Sequence, residues 1–406
     1  MKIVIISCWF SENMGYAENF LPRALAKLGN DVHVVTSTAQ VYYNSPNYNK
    51  TYKDHLGPAI VTEGTKIIDG FTLHRLPFKE VKKSLLNPFG FFGIHLTGLY
   101  DYLVKLKPDV IQVFNIDEFA TFEAARYSKD NRIKFFTESH VHASVLKVNG
   151  KYDTKTNLMK YPNKFRSSLQ LINETTIKCF PIAEDVAELV IEFYQVSKDK
   201  IKIQSLGVNT DLFKPVENEE EEKEKERIQL RKKLGFGVND IVAIYTGRFS
   251  PSKSPSVLAD AIQLLQRTES SFKGLFLGNG TEEEKALLSS REGSFVHPFV
   301  TVKELPKYYR AADIGVWPRE ESTSQLDAAA CGLPLILSDQ IKVLERVDGN
   351  GLLFKEGNAI DLAEKILSLK DEELRKKMGS KSVENVLQKF CWDKIAGERL
   401  RDYLGN

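Results

Sequence analysis

Ile3-Val4-Ile5-Ile6, a loop through Gly15, the run Glu18-Asn19-Phe20-Leu21-Pro22-Arg23-Ala24-Leu25-Ala26-Lys27-Leu28 closed by Gly29, and then Val32-His33-Val34-Val35 read as strand, loop, helix, strand. Phe20, Leu21, Ala24, Leu25 and Leu28 recur at helical spacing, and Gly29 stands where a left-handed C-cap is wanted. This is a βαβ start. Further short apolar runs follow at residues 110–114, straight after Lys107-Pro108-Asp109, and at 133–137. Continuous apolar runs separated by helical segments indicate a parallel sheet covered on both faces. A second series of such runs occupies residues 241–245, 274–277, 314–317 and 335–337, so the same architecture occurs twice. The expected fold class is α/β, two doubly wound domains facing across a cleft lined by the carboxyl ends of both sheets.

A chain of 406 residues is long enough for two to three domains and for a sizeable core without staples. Its composition, 42% hydrophobic and 27% charged, is that of an ordinary globular protein and excludes a disordered or fibrous one. Lys plus Arg number 56 against 54 Asp plus Glu, and a net +2 gives no argument for nucleic-acid binding. Cys8, Cys179, Cys331 and Cys391 form no CxxC or CxxH pair, which argues against zinc and disulfides and for a reducing cytoplasm. The apolar run 3–6 is too short for a signal peptide, and Glu12 follows where small residues should be. The stretch 87–104 holds His95, Asp101 and three glycines and does not read as a membrane span.

The glutamate-rich segment 216–233 reads as a solvated helix or surface excursion. An apolar strand ending in Gly207 marks the domain crossing. The expected domains are residues 1–205, joined by a final helix at 392–406, and residues 206–391.

Chemistry belongs in the loops after strands. The first, Ser7-Cys8-Trp9-Phe10-Ser11-Glu12-Asn13-Met14-Gly15-Tyr16, lacks the G-x-G-x-x-G of a dinucleotide cradle, although Gly15 could let a ligand approach the backbone. In Thr246-Gly247-Arg248-Phe249-Ser250-Pro251-Ser252-Lys253-Ser254, Arg248 and Lys253 flank a turn at the head of a helix. A guanidinium fork, a point charge and backbone donors are what a diphosphate requires.

The segment Trp317-Pro318-Arg319-Glu320-Glu321-Ser322-Thr323-Ser324-Gln325-Leu326-Asp327-Ala328-Ala329-Ala330-Cys331-Gly332-Leu333-Pro334 ends a strand, passes a polar loop and opens a helix near Ser322, Thr323 and Ser324. Glu320 and Asp327, seven residues apart, can reach one space, with three hydroxyl residues beside the helix amides. Carboxylates there would accept from sugar hydroxyls while the helix start meets a phosphate. A simple capping box of Ser324 with Asp327 is the competing account.

This passage resembles the signature of retaining GT-B glycosyltransferases of glycosyltransferase family four, in which two glutamates precede an alanine-rich turn and Cys-Gly-x-Pro. Glu320 matches the first glutamate and Asp327 the second. The resemblance covers nearly the whole chain: Gly15 with Glu18, Gly207-Val208-Asn209-Thr210-Asp211-Leu212-Phe213, Gly247-Arg248 with Lys253, and Trp392-Asp393-Lys394-Ile395 all have counterparts. Gly278-Asn279-Gly280 and Pro298-Phe299-Val300 resemble the strand ends that receive the nucleoside. Asp327 departs from glutamate, Ser322-Thr323-Ser324 from glycine-phenylalanine-glycine and Ser254 from glycine, and Gly15 lacks its usual neighbour.

The resemblance implies two Rossmann-like domains, no cofactor and no metal, and a nucleoside diphosphate sugar donor, UDP ahead of GDP. It implies catalytic roles for His140, Glu320, Arg248 and Lys253. Donor contacts would come from Gly15, Gly247, Gly278, Phe299, Val300, Ser322, Thr323, Ser324 and Asp327. In Phe135-Phe136-Thr137-Glu138-Ser139-His140-Val141-His142, His140 occupies the position facing donor sugar and diphosphate, ahead of His142, while Glu138 either orients it or meets the acceptor. The expected acceptor is a glycan or lipid-linked hydroxyl, with no nucleic-acid partner. Lys79, Lys82 and Lys83 beside Leu85, Leu86, Phe89, Phe91 and Phe92 would seat the domain on an anionic membrane, or pack into the core with the lysines outside. A nucleotide-sugar 2-epimerase of the same architecture and a non-catalytic nucleotide-sugar-binding subunit are the alternatives.

Overall fold

The computed structural model describes residues 1–12, 14–81, 93–142, 147–148, 151–152, 167–215, 221–319 and 321–405. It divides into two compact units, Met1–Leu206 with Ile395–Asn406, and Gly207–Lys394. The chain segments at its two crossings are bonded to each other. Val208 N–H donates to the Phe390 carbonyl at 2.7 Å, and Trp392 N–H to that of Val208 at 3.2 Å.

In the first unit, β1 (Lys2–Ile6), α1 (Ala17–Lys27) and β2 (Asp31–Ser37) form the βαβ start, and Gly29 takes φ +82° just beyond the helix. There follow β3 (Gly64–Ile68), β4 (Phe71–Leu76), β5 (Val110–Phe114), α2 (Phe119–Asn131), β6 (Lys134–Ser139), β7 (Thr176–Pro181) and α3 (Glu184–Tyr194). The sheet runs β7-β6-β5-β1-β2-β4-β3, parallel except for β3, which is antiparallel to β4. Strand order reverses at β1, so the loops after β1 and β5 diverge to opposite faces and open a crevice at the sheet's carboxyl edge. All five residues of β5 are buried, as a central parallel strand requires.

The second unit holds β8 (Ile241–Arg248), α4 (Pro255–Gln266), β9 (Phe272–Asn279), β10 (Ser294–His297), α5 (Leu305–Ala311), β11 (Ile314–Trp317), α6 (Ser324–Ala330), β12 (Leu335–Ser338), β13 (Gly351–Phe354) and α7 (Ala359–Ser368). Its all-parallel sheet runs β10-β9-β8-β11-β12-β13, and the reversal falls between β8 and β11. The last helix, α8 (Trp392–Leu404), carries the chain from the second unit back to the first.

The glutamate-rich segment is helical over Glu221–Lys233, pinned by the buried Arg231 to the Ala311 carbonyl at 2.8 Å and Asp313 at 3.1 Å. Lys82, Lys83, Leu85, Leu86, Phe89, Phe91 and Phe92 lie outside the described residues. Among the described residues no helix is long and apolar enough to cross a membrane.

Candidate active site

The switch point of the second sheet gathers most of the residues expected in the donor site. Gly247 and Arg248 are the last residues of β8 rather than loop residues, because β8 stays in register with β9 up to Arg248 opposite Asn279. Arg248 is exposed there. Gly247 has φ +148°. Gly278, beside it on β9, has φ +159°, and a Cβ there would lie 1.8 Å from the Gly247 carbonyl oxygen. Only glycine allows the two strand ends this approach. At Gly280 a Cβ would meet the Phe249 backbone and Glu284 below 3.0 Å.

Beyond β8 the loop turns through Ser250 and Lys253, and Ser254, at φ +49°, caps α4 with Pro255 as its first residue. Lys253 Nζ donates to the Glu321 carbonyl at 2.9 Å. The loops after β8 and β11, far apart in sequence, are thereby joined at the point where strand order reverses. Glu320 lies outside the described residues.

The serines of the β11–α6 loop differ from expectation. Trp317, 1% exposed, must find an acceptor for its indole N–H, and Ser324 Oγ at 3.0 Å and the Thr246 carbonyl at 3.2 Å supply it. Ser324 Oγ also reaches the Thr246 carbonyl at 3.3 Å and Ser322 Oγ at 2.7 Å. The hydroxyls of Ser322 and Ser324 therefore join the loop to the strands instead of offering donors to a ligand. No Ser324–Asp327 capping box forms, since Thr323 is the N-cap and Ser324 is already helical.

Asp327 sits in the first turn of α6. Burial pushes its carboxyl up to about 8, and the positive charge of Arg346 offsets only part of this. A carboxyl held neutral at pH 7 can donate a hydrogen bond as well as accept one. Arg346, not among the residues expected in the site, is 6% exposed and donates to the Ser322 carbonyl at 2.9 Å and Gln325 Oε1 at 2.7 Å. It clamps the start of α6 from beneath. Phe299 is half-buried and Val300 buried, in the loop after β10.

In the first unit, Gly15 precedes Tyr16, the N-cap of α1, and Glu18 lies in that helix's first turn. His140 follows β6, and its Nε2 lies 2.7 Å from Glu138 Oε1. Glu138 is 1% exposed. Burial alone would raise its carboxyl, but the charge of Arg399 and hydrogen bonds from His140 and Arg399 hold it below the usual range. Its other oxygen accepts from Arg399 Nη1 at 2.8 Å and Gln112 Nε2 at 2.7 Å. Glu138 is committed inward to orienting His140, which removes the reading that it meets an acceptor. Burial would lower the His140 imidazole, but the bond and charge of Glu138, with Glu18, outweigh it and raise it.

His142 instead pairs with Asp185 on α3 at 3.1 Å. Arg399 was legible as an anomaly: with Ile395, Ala396 and Tyr403 it falls on the buried stripe of α8, where an apolar residue is expected. Among the described residues no group of three or more His, Cys, Asp or Glu is placed to hold a metal ion.

Residues 226–384 match the model of the family described as glycosyl transferases group 1. D-inositol 3-phosphate glycosyltransferase of Streptomyces bingchenggensis is 27% identical over 233 residues, 52% of this chain and 49% of its own length. The chain matches about half the length of such curated relatives. Sucrose-phosphate synthase from Thermosynechococcus elongatus superposes with a TM-score of 0.66 at 18% identity, over 100% of this chain and 98% of that one. HepE from Anabaena, solved in complex with UDP and glucose, superposes with a TM-score of 0.66 at 16% identity, over all of both chains. Residues 226–384 are thus similar to the glycosyl transferases group 1 family, in a chain whose fold is GT-B, two Rossmann-like α/β units.

Proposed function

We propose that the chain is a retaining, metal-independent glycosyltransferase. It moves a sugar from a nucleoside diphosphate donor, UDP-linked ahead of GDP-linked, to a hydroxyl of a glycan or lipid-linked acceptor in cell-surface polysaccharide or glycolipid synthesis. The observation that carries this reading is the 2.9 Å bond from Lys253 to the Glu321 carbonyl, which joins the cationic loop after β8 to the loop after β11 at the switch point of the sheet. HepE, solved in complex with UDP and glucose, supports the donor class.

In this mechanism Arg248 and Lys253, with the first amides of α6, take up the negative charge that grows on the departing diphosphate. The glycine pair 247 and 278 brings the two strand ends together beneath the nucleotide, with Gly280, Phe299 and Val300 bordering the base and Asp327 meeting the ribose. Glu320 holds the sugar hydroxyls. His140 donates to the sugar or phosphate. Because Nε2–H is given to the ionised Glu138, Nδ1 is a donor only in the imidazolium form, which the raised titration of His140 favours. The acceptor hydroxyl attacks from the face the diphosphate leaves, which gives retention without an enzyme nucleophile. We place this activity in the cytoplasm, at the inner face of an anionic membrane.

The test is thermal shift of the whole chain with UDP, UDP-glucose and GDP-mannose. Ligand at 100 times its dissociation constant stabilises the native state by about 2.7 kcal/mol. A rise in Tm with UDP-glucose that disappears in Lys253→Ala supports the reading. No response to any nucleotide overturns it, and an inverted anomer in the product overturns the mechanism.

A further inference from the structure

The reading of His140 leaves unexplained why an arginine lies at the centre of the apolar face of α8. Arg399 is 1% exposed, and its guanidinium lies over the Phe180 ring at 3.6 Å. It donates through Nε to Gln204 Oε1 at 2.8 Å and through Nη1 to Gln112 Oε1 at 2.7 Å and Glu138 Oε2 at 2.8 Å. Tyr403, one turn on, donates to the same Gln112 oxygen. Both oxygens of Glu138 are thus engaged: Oε2 faces Arg399 and Gln112, and Oε1 faces His140 Nε2 at 2.7 Å. A solely structural arginine–carboxylate pair would not end on a partly exposed imidazole at the carboxyl edge of the sheet.

We propose that Arg399 is a positioning residue for His140: arriving on the returning helix α8, it locks the Glu138 carboxylate so that Oε1 holds His140 Nε2 and Nδ1 points away from the protein interior. This rests on the proposed glycosyl transfer for its consequence, but its geometry stands without it. Among the described residues three charged groups face the imidazole, Glu138 from β6, Glu18 from α1 and Arg399 from α8, while Phe114 at the end of β5 packs edge-on at 5.4 Å. The two carboxylates favour the imidazolium and the guanidinium opposes it. Arg399 therefore does two things: it fixes the direction of the imidazole, and it keeps the His140–Glu138 pair from binding its proton too tightly.

The arrangement makes the variants separable. Arg399→Met removes a buried positive charge, so the pair binds its proton more tightly and the titration of His140 moves up. Glu138→Gln removes the carboxylate and leaves burial and Arg399, so the titration moves down. Arg399→Lys keeps the charge but loses the fork, so the titration stays near that of the parent chain while the imidazole is less well held.

The experiment is an NMR pH titration of the histidine ring signals of the full chain, with His140 assigned by its loss in His140→Asn. Turnover of UDP-glucose is followed in parallel. Opposite displacements in Arg399→Met and Glu138→Gln, and in Arg399→Lys a kcat lowered tenfold or more with unchanged KM for the donor, establish the relay. An unchanged His140 titration in Arg399→Met overturns it. Should that variant not fold, Glu138→Gln with Arg399→Met leaves no unpaired charge and takes its place. Its His140 must titrate above that of Glu138→Gln, because the opposing guanidinium is gone, and a titration equal to that of Glu138→Gln is again fatal. If His140→Asn keeps full turnover while the displacements are seen, the catalytic reading of His140 fails and the relay stands. If His140→Asn is inactive and the displacements are absent, the relay fails and the catalytic reading stands.

Discussion

Replacing Asp327 by Asn tests whether the second acidic position of the signature is neutral in the folded protein. Burial raises its carboxyl to about 8, against about 3.9 in the unfolded chain. The folded state therefore binds the proton more tightly. Stability from this group is fully present below about pH 4, is lost as pH rises, and is gone once the folded carboxyl has ionised above about pH 8. Each unit between those limits costs about 1.4 kcal/mol, so the whole interval amounts to about 6 kcal/mol. Asn cannot ionise and keeps the shape of the protonated acid. The Tm advantage of Asp327→Asn over the parent chain should be smallest near pH 4 to 5 and should grow by about 3–6 °C per pH unit up to pH 8, for a unit of this size. Differential scanning fluorimetry from pH 5 to pH 9 measures it. A Tm difference independent of pH would refute a neutral Asp327. At pH 7, UDP affinity should stay within about threefold in Asp327→Asn and fall about tenfold in Asp327→Ala, which loses the hydrogen bond altogether.

Other outcomes follow from the same geometry. Lys253→Ala should lower donor turnover by about a hundredfold or more with an unchanged far-UV spectrum, as expected for a charge that acts on the leaving diphosphate; full activity would remove it from the mechanism. Gly278→Ala must push its Cβ against the Gly247 carbonyl, 1.8 Å away, and should destabilise the second unit by about 3 kcal/mol or more, seen as a lowered urea midpoint. Ser324→Ala leaves the Trp317 indole the Thr246 carbonyl at 3.2 Å, so it should cost about 1 kcal/mol and spare UDP affinity; a tenfold loss of affinity would return Ser324 to the ligand. In low-salt flotation the chain should rise with vesicles of anionic lipid and not with neutral ones, and its failure to float would remove the membrane from the proposal.

The βαβ start and the two series of strands were legible because a buried parallel strand must be a short continuous apolar run; the apolar strand expected before Gly207 did not form, since residues 202–207 are irregular. The run 314–317 coincides with β11, and 110–114 with β5. Strands β3, β7, β10 and β13 carry polar residues or lie at or near sheet edges, where half-burial leaves no such run, and they were missed. Within the site, the residues at strand ends and helix starts could be named because glycine, arginine, lysine and acidic residues are out of place beside apolar strands. Their local geometry could not. Whether Ser324 faces a ligand or a tryptophan depends on Trp317 needing an acceptor, a demand set by packing between strands.

What the order of residues determined alone is which elements form and which loops end up at the carboxyl edges of the sheets, since periodicity and capping are local properties of the chain. Tertiary structure decided the rest. Lys253 and Glu321 are 68 residues apart, Arg346 and Ser322 are 24 apart, and Arg399 and Glu138 are 261 apart. Each contact depends on which strands become neighbours or where a helix returns. The titration of Asp327, Glu138 and His140 depends in turn on burial and on charges brought in from those distant segments, which is why these groups could be named from the sequence but not their protonation.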